Sequence, residues 1–240
     1  MATYVALVNE VLRRVNEVQL DIAGDGFGDV RNLQALAKDA VNSSVREILQ
    51  HSQEWPFTLT TYTQTMTAGT GVYDFPADYS KADWDTFYIK RLAAKSNNPE
   101  RLSVITYNDY LRSYRSQEDL TGVDGYATPM VVYQTQEAKF GVTPVPDDEY
   151  EIEYRYWSYP ADMTQYDDVC VIPDRFNTVV VDGATMYLMR FRANEQSAGL
   201  HQQKFEMGMD NMRRLLLDSP QYITSTVIAG RNFNLNEGTQ

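Results

Sequence analysis

The stretch Trp55-Pro56-Phe57-Thr58-Leu59-Thr60-Thr61-Tyr62-Thr63-Gln64-Thr65-Met66-Thr67 separates two kinds of pattern. Upstream of it, apolar residues recur at helical spacing. From Thr58 onward β-branched threonines crowd a short run, and side chains branched at Cβ suit an extended strand better than a helix. Trp55-Pro56 marks the boundary because proline cannot continue a helix. Before it, Tyr4, Leu7, Val8, Val11, Leu12, Val15 and Val18 form one stripe, with Asn9, Glu10, Arg13, Arg14 and Asn16 opposite, which predicts an amphipathic helix. The segment Gly24-Asp25-Gly26-Phe27-Gly28-Asp29 breaks that helix. Asp29 is placed to cap a second one, whose inward face carries Leu33, Leu36, Ala37, Ala40, Val41, Ser44 and Ile48.

Downstream of Thr67, Gly69-Thr70-Gly71 offers a turn into Val72-Tyr73-Asp74-Phe75 and the stop Pro76, which reads as a hairpin. Further β-prone runs follow at residues 87–92, 130–134, 138–142 and 150–157, with one short helix near residues 106–114. Most tyrosines lie in this middle third, where half-polar rings suit a small sheet with one wet face. Beyond Ile172-Pro173 the helical period returns with Phe176, Val179, Val180, Gly183, Ala184, Tyr187, Leu188 and Phe191, and Gly183-Ala184 lets another helix approach closely. A fourth helix carries Phe205, Met209, Met212 and Leu216 and stops at Pro220. No internal repeat is visible. The expected fold is α+β: a discontinuous helical bundle of residues 1–55 plus 173–218, an inserted antiparallel β domain of residues 56–172, and an extended C-terminal arm of residues 219–240.

Composition narrows the function. The chain has 240 residues, 43% hydrophobic and 22% charged, so it is expected to fold as one or two domains with a substantial core. No apolar run approaches the roughly 18 to 20 residues of a membrane span, and Met1-Ala2-Thr3-Tyr4 lacks a basic and apolar leader, so neither a membrane-embedded nor an exported chain is expected. Acidic residues outnumber basic ones 33 to 21, for a net charge of -12. That balance excludes adhesive nucleic-acid binding, which draws its affinity from lysine and arginine. It is compatible with a surface that repels a passing polyanion.

Chemical motifs are sparse. Asp21, Asp25 and Asp29 match no EF-hand spacing, and the glycines among them follow a helix and lack a lysine, unlike a phosphate loop. Asp147-Asp148-Glu149 and Asp167-Asp168 lie beside prolines or in turns, where polar residues are needed for conformation. Cys170 is the single cysteine, set among Val169, Val171 and Ile172, a setting for an inert thiol. With His51 and His201 as the only histidines, no disulfide, zinc site, other metal site, cofactor or catalytic set is expected. Met209 and Met212 are read as core, with Met207 beside them. The arm has only Arg231 and Glu237 as charged residues and is rich in β-branched and aromatic side chains, the reverse of a disordered tail, so a partner is expected to cover it.

The order Trp55-Pro56-Phe57, Tyr73-Asp74-Phe75-Pro76-Ala77-Asp78, Thr128-Pro129-Met130-Val131-Val132-Tyr133, Phe140-Gly141-Val142-Thr143-Pro144-Val145-Pro146, Tyr150-Glu151-Ile152-Glu153-Tyr154-Arg155-Tyr156 and Ile172-Pro173 leading to Gly183-Ala184 resembles the head-to-tail adaptor family of tailed bacteriophages, the connectors similar to tail tubular protein A. Phe75 stands where that family has leucine. The resemblance implies a non-enzymatic virion protein at the head-tail neck, assembled in the host cytoplasm. It implies a homo-oligomeric ring, typically twelvefold, beneath the portal protein, which helps retain packaged DNA and carries tail or tail-tube proteins. Double-stranded DNA is then a passing, non-sticky occupant of an acidic channel. Tyr222, Ile223, Val227, Ile228, Phe233 and Leu235 become the implied portal-binding anchors. The alternatives are a receptor- or carbohydrate-binding module, which needs aromatics clustered on an exposed face, and a hydrolase, which needs Asp147, Asp148, Asp167 and Asp168 to converge.

Overall fold

The computed structural model describes residues 1–20, 27, 28, 30, 32–92, 99–116, 118, 122–135 and 139–217. In chain order the elements are α1 (Tyr4–Arg14), α2 (Leu33–His51), β1 (Leu59–Met66), β2 (Val72–Asp74), β3 (Tyr79–Arg91), β4 (Glu100–Arg101), β5 (Ser103–Ile105), α3 (Tyr107–Ser113), β6 (Val131–Gln134), β7 (Lys139–Thr143), β8 (Tyr150–Ser158), α4 (Asn177–Phe191) and α5 (Glu195–Leu216). The fold is α+β.

Helix α4 is the centre of the helical part. Its buried residues, Val179 to Val181, Gly183 to Met186 and Leu188, face almost every direction, because α1, α2 and α5 all pack on it. Gly183 makes the closest approach: a Cβ there would lie 2.3 Å from Ser44 Oγ of α2 and 2.8 Å from the Phe205 ring of α5. Ser44 donates to the Val180 carbonyl at 2.9 Å, so its hydroxyl is satisfied within that contact. The sequence stripe on this helix differs from the structure at its end, where Phe191 is 66% exposed.

Helix α1 stops at Arg14, four residues before the stripe ends. Asn9, from the polar face, accepts from Leu20 N–H at 2.7 Å and donates to the Leu20 carbonyl at 3.1 Å, drawing the chain back over the helix. Asn16 takes a positive φ of 56° at the reversal, and Val18 is left exposed. Asp29 lies outside the described residues; Asn32 directly precedes α2. Trp55 is fully buried and donates its indole N–H to the Ile48 carbonyl, which locks the end of α2 where the chain departs for β1.

The β part is two four-stranded sheets, ordered β1-β8-β3-β4 and β2-β7-β6-β5. All pairings are antiparallel except β5 with β6. The expected hairpin is therefore corrected: β1 pairs with β8, from Leu59↔Trp157 to Met66↔Tyr150, while β2 pairs with β7 in the other sheet. The turn itself forms, with Thr70 N–H on the Thr67 carbonyl and Tyr73 OH on the Thr70 carbonyl. Met66 and Tyr73 both point into the space between the sheets, so the chain crosses from one sheet to the other instead of folding back on itself. Turn chemistry sets the reversal and leaves the partner open.

The single wet sheet gives way to an aromatic-rich cluster between the two, built on Phe87, Phe140, Tyr150 and Tyr154. Strand β8 shows the period-two alternation of a half-buried strand. Strand β3 begins eight residues before the apolar run of residues 87–92, because Lys81, Asp83 and Asp85 on its outer side hide the pattern and pair with Glu54, Arg155 and Arg101. Gly141 faces Tyr133 across β6 and β7, and a Cβ there would lie 2.3 Å from Tyr133 Cζ. The helical part and the β part each have their own hydrophobic cluster.

Candidate functional site

The chemistry-bearing residues flagged by sequence are spent on local structure. Asp168 accepts from the Thr164 and Gln165 amides at 2.6 and 2.7 Å, and those two donors hold its carboxyl below the usual carboxylate range. Asp147 accepts from Tyr150 OH at 2.6 Å, which lowers its pKa, and pairs with Arg91, whose Nε lies 3.4 Å from Asp148. The two acidic clusters therefore serve separate turns. Cys170 is buried, its thiol pushed up by burial, and its N–H donates to the Ala2 carbonyl. His201 lies 3.2 Å from Asp182, which also binds Arg14, and His51 is exposed at the end of α2. Among the described residues no group of three or more His, Cys, Asp or Glu could hold a metal ion. No helix among them is long and apolar enough to cross a membrane.

Most described aromatics are buried or half-buried, with Tyr62, Tyr88, Tyr166 and Phe191 exposed. Phe87 stacks on Tyr154 at 4.6 Å and Phe75 on Tyr79 at 3.9 Å. Tyr133 stacks on Tyr110 at 4.0 Å, and the Tyr110 hydroxyl donates to Glu118, which also accepts from Thr143. Burial raises the pKa of Tyr133 and Tyr154, and burial followed by the Asp78 carboxylate pushes Tyr156 up to about 12. Such rings cement the two sheets.

Binding capacity resides instead in surfaces. On α5, Leu200, Met207 and Leu215 are exposed beside Lys204 and Arg214, while Met209 and Met212 are core. Between α2 and α4 runs a groove of 210 Å³ lined by Leu36, Asp39, Ala40, Ser43, Tyr187, Leu188 and Phe191. On the β side, β1 is a long sheet edge, and the sequence carries a signal for it that residue-type searches pass over: Trp55 to Tyr73 contains no charged side chain. The expected anchors Tyr222, Ile223, Val227, Ile228, Phe233 and Leu235, and the loop acids Asp21, Asp25 and Asp29, lie outside the described residues.

A family model described as SU10 adaptor protein matches residues 2–227, taking in both the helical and the β parts. No curated protein matches the chain.

Proposed function

The chain belongs to the SU10 adaptor protein family, and from that premise we propose that it is a structural virion protein, a head-to-tail adaptor standing between portal and tail. The observation that carries this reading is the family match over residues 2–227, which spans the whole helix, sheet and helix layout. The inward packing of the tyrosines supports an adaptor over a carbohydrate-binding module.

In the finer reading, residues 1–55 with 173–218 are a bundle domain, residues 56–172 an inserted β domain and residues 219–240 an arm. The separate hydrophobic clusters support that division. Copies close into a ring, twelvefold in this reading, through one heterologous contact repeated around the axis. The arm anchors on the portal protein through Tyr222, Ile223, Val227, Ile228, Phe233 and Leu235, and the opposite side carries tail or tail-tube proteins. The ring sits at the virion neck, is assembled in the host cytoplasm and helps retain the packaged genome. At -12 per copy it surrounds an acidic channel, through which double-stranded DNA slides without adhering.

Negative-stain microscopy of the chain co-expressed with the portal protein of the same genome tests this. A second ring stacked on the portal is expected, and counting its subunits gives the symmetry. Two separate species would overturn it and turn attention to glycan screening. Removing residues 219–240 is expected to abolish attachment while the body stays folded, and a channel lined by lysine and arginine would contradict the sliding role.

A further inference from the structure

Helix α5 is apolar on two sides, and the bundle uses one of them. Ala198, Phe205, Met209 and Met212 are buried against the other helices. Away from them Leu200, Met207 and Leu215 stay exposed. At about 100° per residue these three, with Lys204 and Arg214, fall within an arc of about 100° and run about 22 Å along the helix. A single exposed leucine needs no explanation, but large apolar side chains repeated along one stripe form a seam of the kind a helix lays into a groove. The acidic residues of α5, Glu195, Glu206 and Asp210, fall outside that arc, so the charge along the seam is positive.

The same chain carries a groove of opposite sign. Leu36 of α2 lines it with Tyr187 and Phe191 of α4, across a volume of 210 Å³. That is smaller than the about 300 Å³ of ordinary small-molecule sites, and it suits single side chains presented by a partner. Asp39 is exposed on its wall, and Glu47 lies beside it, accepting from the Tyr187 hydroxyl at 2.7 Å. The lysines and arginines of the two helices are engaged elsewhere: Lys38 on the Phe27 carbonyl, Arg46 on Asp162 and Arg190 on Gln202. Among the described residues Asp39 has no ion-pair partner, and neither have Lys204 and Arg214. Asp39 and Glu47 are separated by about 12 Å of helix and Lys204 and Arg214 by about 15 Å, a difference that long basic side chains take up.

We propose that the outer seam of α5 seats in the groove between α2 and α4 of a second copy of this chain, with Met207 against Phe191 and Lys204 against Asp39. Seam and groove are different surfaces, so the contact is repeatable from copy to copy. In the adaptor reading, on which its place in the virion rests, this is the contact that recurs around the ring.

Sedimentation of the full-length chain over a concentration series tests the contact in the wild type, Lys204→Glu, Asp39→Lys and the combined variant. Both positions are exposed, so each variant is expected to melt as the wild type does. The wild type is expected to associate. Each single variant should weaken association about tenfold or more, because like charges then face each other, and the combined variant should regain it. A wild type that stays monomeric, single variants that associate unchanged, or a combined variant no better than the singles overturns the proposal. Mixing differently tagged Met207→Cys and Phe191→Cys chains adds a geometric readout, since the one native cysteine, Cys170, is buried. Oxidation by copper phenanthroline is expected to join the two tags. Repeated on chains co-expressed with the portal protein, the same assay separates the two readings. A ring on the portal without the crosslink overturns this contact and leaves the adaptor; the crosslink without attachment to the portal upholds the contact and overturns the adaptor.

Discussion

Replacing Gly183 by alanine sets two effects against each other. Alanine in place of glycine within a helix is worth about 1 kcal/mol in backbone propensity. Against this, the new methyl would lie 2.3 Å from Ser44 Oγ and 2.8 Å from the Phe205 ring, wedged between α2 and α5 where both meet α4. Carbon contacts settle near about 3.5 to 4.0 Å, so α2 must retreat by more than about 1 Å and α5 by nearly as much. Overpacking of that order costs about 1 to 3 kcal/mol. Moving Ser44 also strains its buried bond to the Val180 carbonyl, worth about 0.5 to 1.5 kcal/mol. The net expectation is a loss of about 2 kcal/mol, which in a chain of this size lowers Tm by about 4 to 8 °C. Urea unfolding and calorimetry of the wild type, Gly183→Ala, Ser44→Ala and the double variant measure it. Ser44→Ala removes the nearer obstacle, so the double variant is expected to be less destabilised than the sum of the singles by at least about 0.5 kcal/mol. A Gly183→Ala protein as stable as the wild type, or strict additivity, would falsify the close-approach argument.

Gly141→Ala should destabilise the β part by about 1 to 3 kcal/mol through the Tyr133 ring, and Tyr133→Leu should recover part of that loss in urea unfolding. Stability should fall in strongly alkaline solution. Tyr133, Tyr154 and Tyr156 keep their protons above the ordinary tyrosine value of 10.0, Tyr156 to about 12, whereas the unfolded chain ionises at the ordinary value, so their contribution is whole below that value and is lost as pH rises through the folded values. Tyrosinate absorbance should then rise together with unfolding; full ionisation of a still-folded chain would contradict it. At the acid end the sign reverses for Asp168: its folded pKa is depressed, so its contribution is present above 3.8 and lost as pH falls below it. Asp168→Ala should therefore move the acid-unfolding midpoint to higher pH, and an unmoved midpoint would show that the Thr164 and Gln165 amides do not depend on it.

Much of the helical part was legible because a buried helix face must repeat at the helical period. Ala37, Ala40, Val41, Ser44 and Ile48, and Phe205, Met209 and Met212, are buried as their spacing requires. The same logic overran where a polar side chain intervened: Val18 extends the stripe of α1, but Asn9 captures Leu20 and ends the helix sooner. Phe191 keeps the period of α4 and yet stays exposed, lining the open groove between α2 and α4. The first half of β3 was hidden by its charges, since a strand whose outer residues form ion pairs has too few apolar residues to show an alternation. For the candidate surfaces, the uncharged run from Trp55 to Tyr73 was in plain view, while its meaning waited on the pairing of β1.

Element type, the inert setting of Cys170 and the turn duties of the acids follow from residue order alone, because propensity, capping and desolvation act over a few neighbouring positions. The resemblance carried by Trp55-Pro56-Phe57 through Gly183-Ala184 and the family match over residues 2–227 also rest on residue order. Which strand pairs with which is a different matter. Met66 and Tyr73 stand seven residues apart on either side of a well-formed turn, and they enter different sheets because both side chains need the same dry space. Likewise β1 is an edge only because β8 takes its other side and nothing described takes the next place. Partner choice is a competition for buried volume among segments far apart in the chain, and that competition is decided in three dimensions.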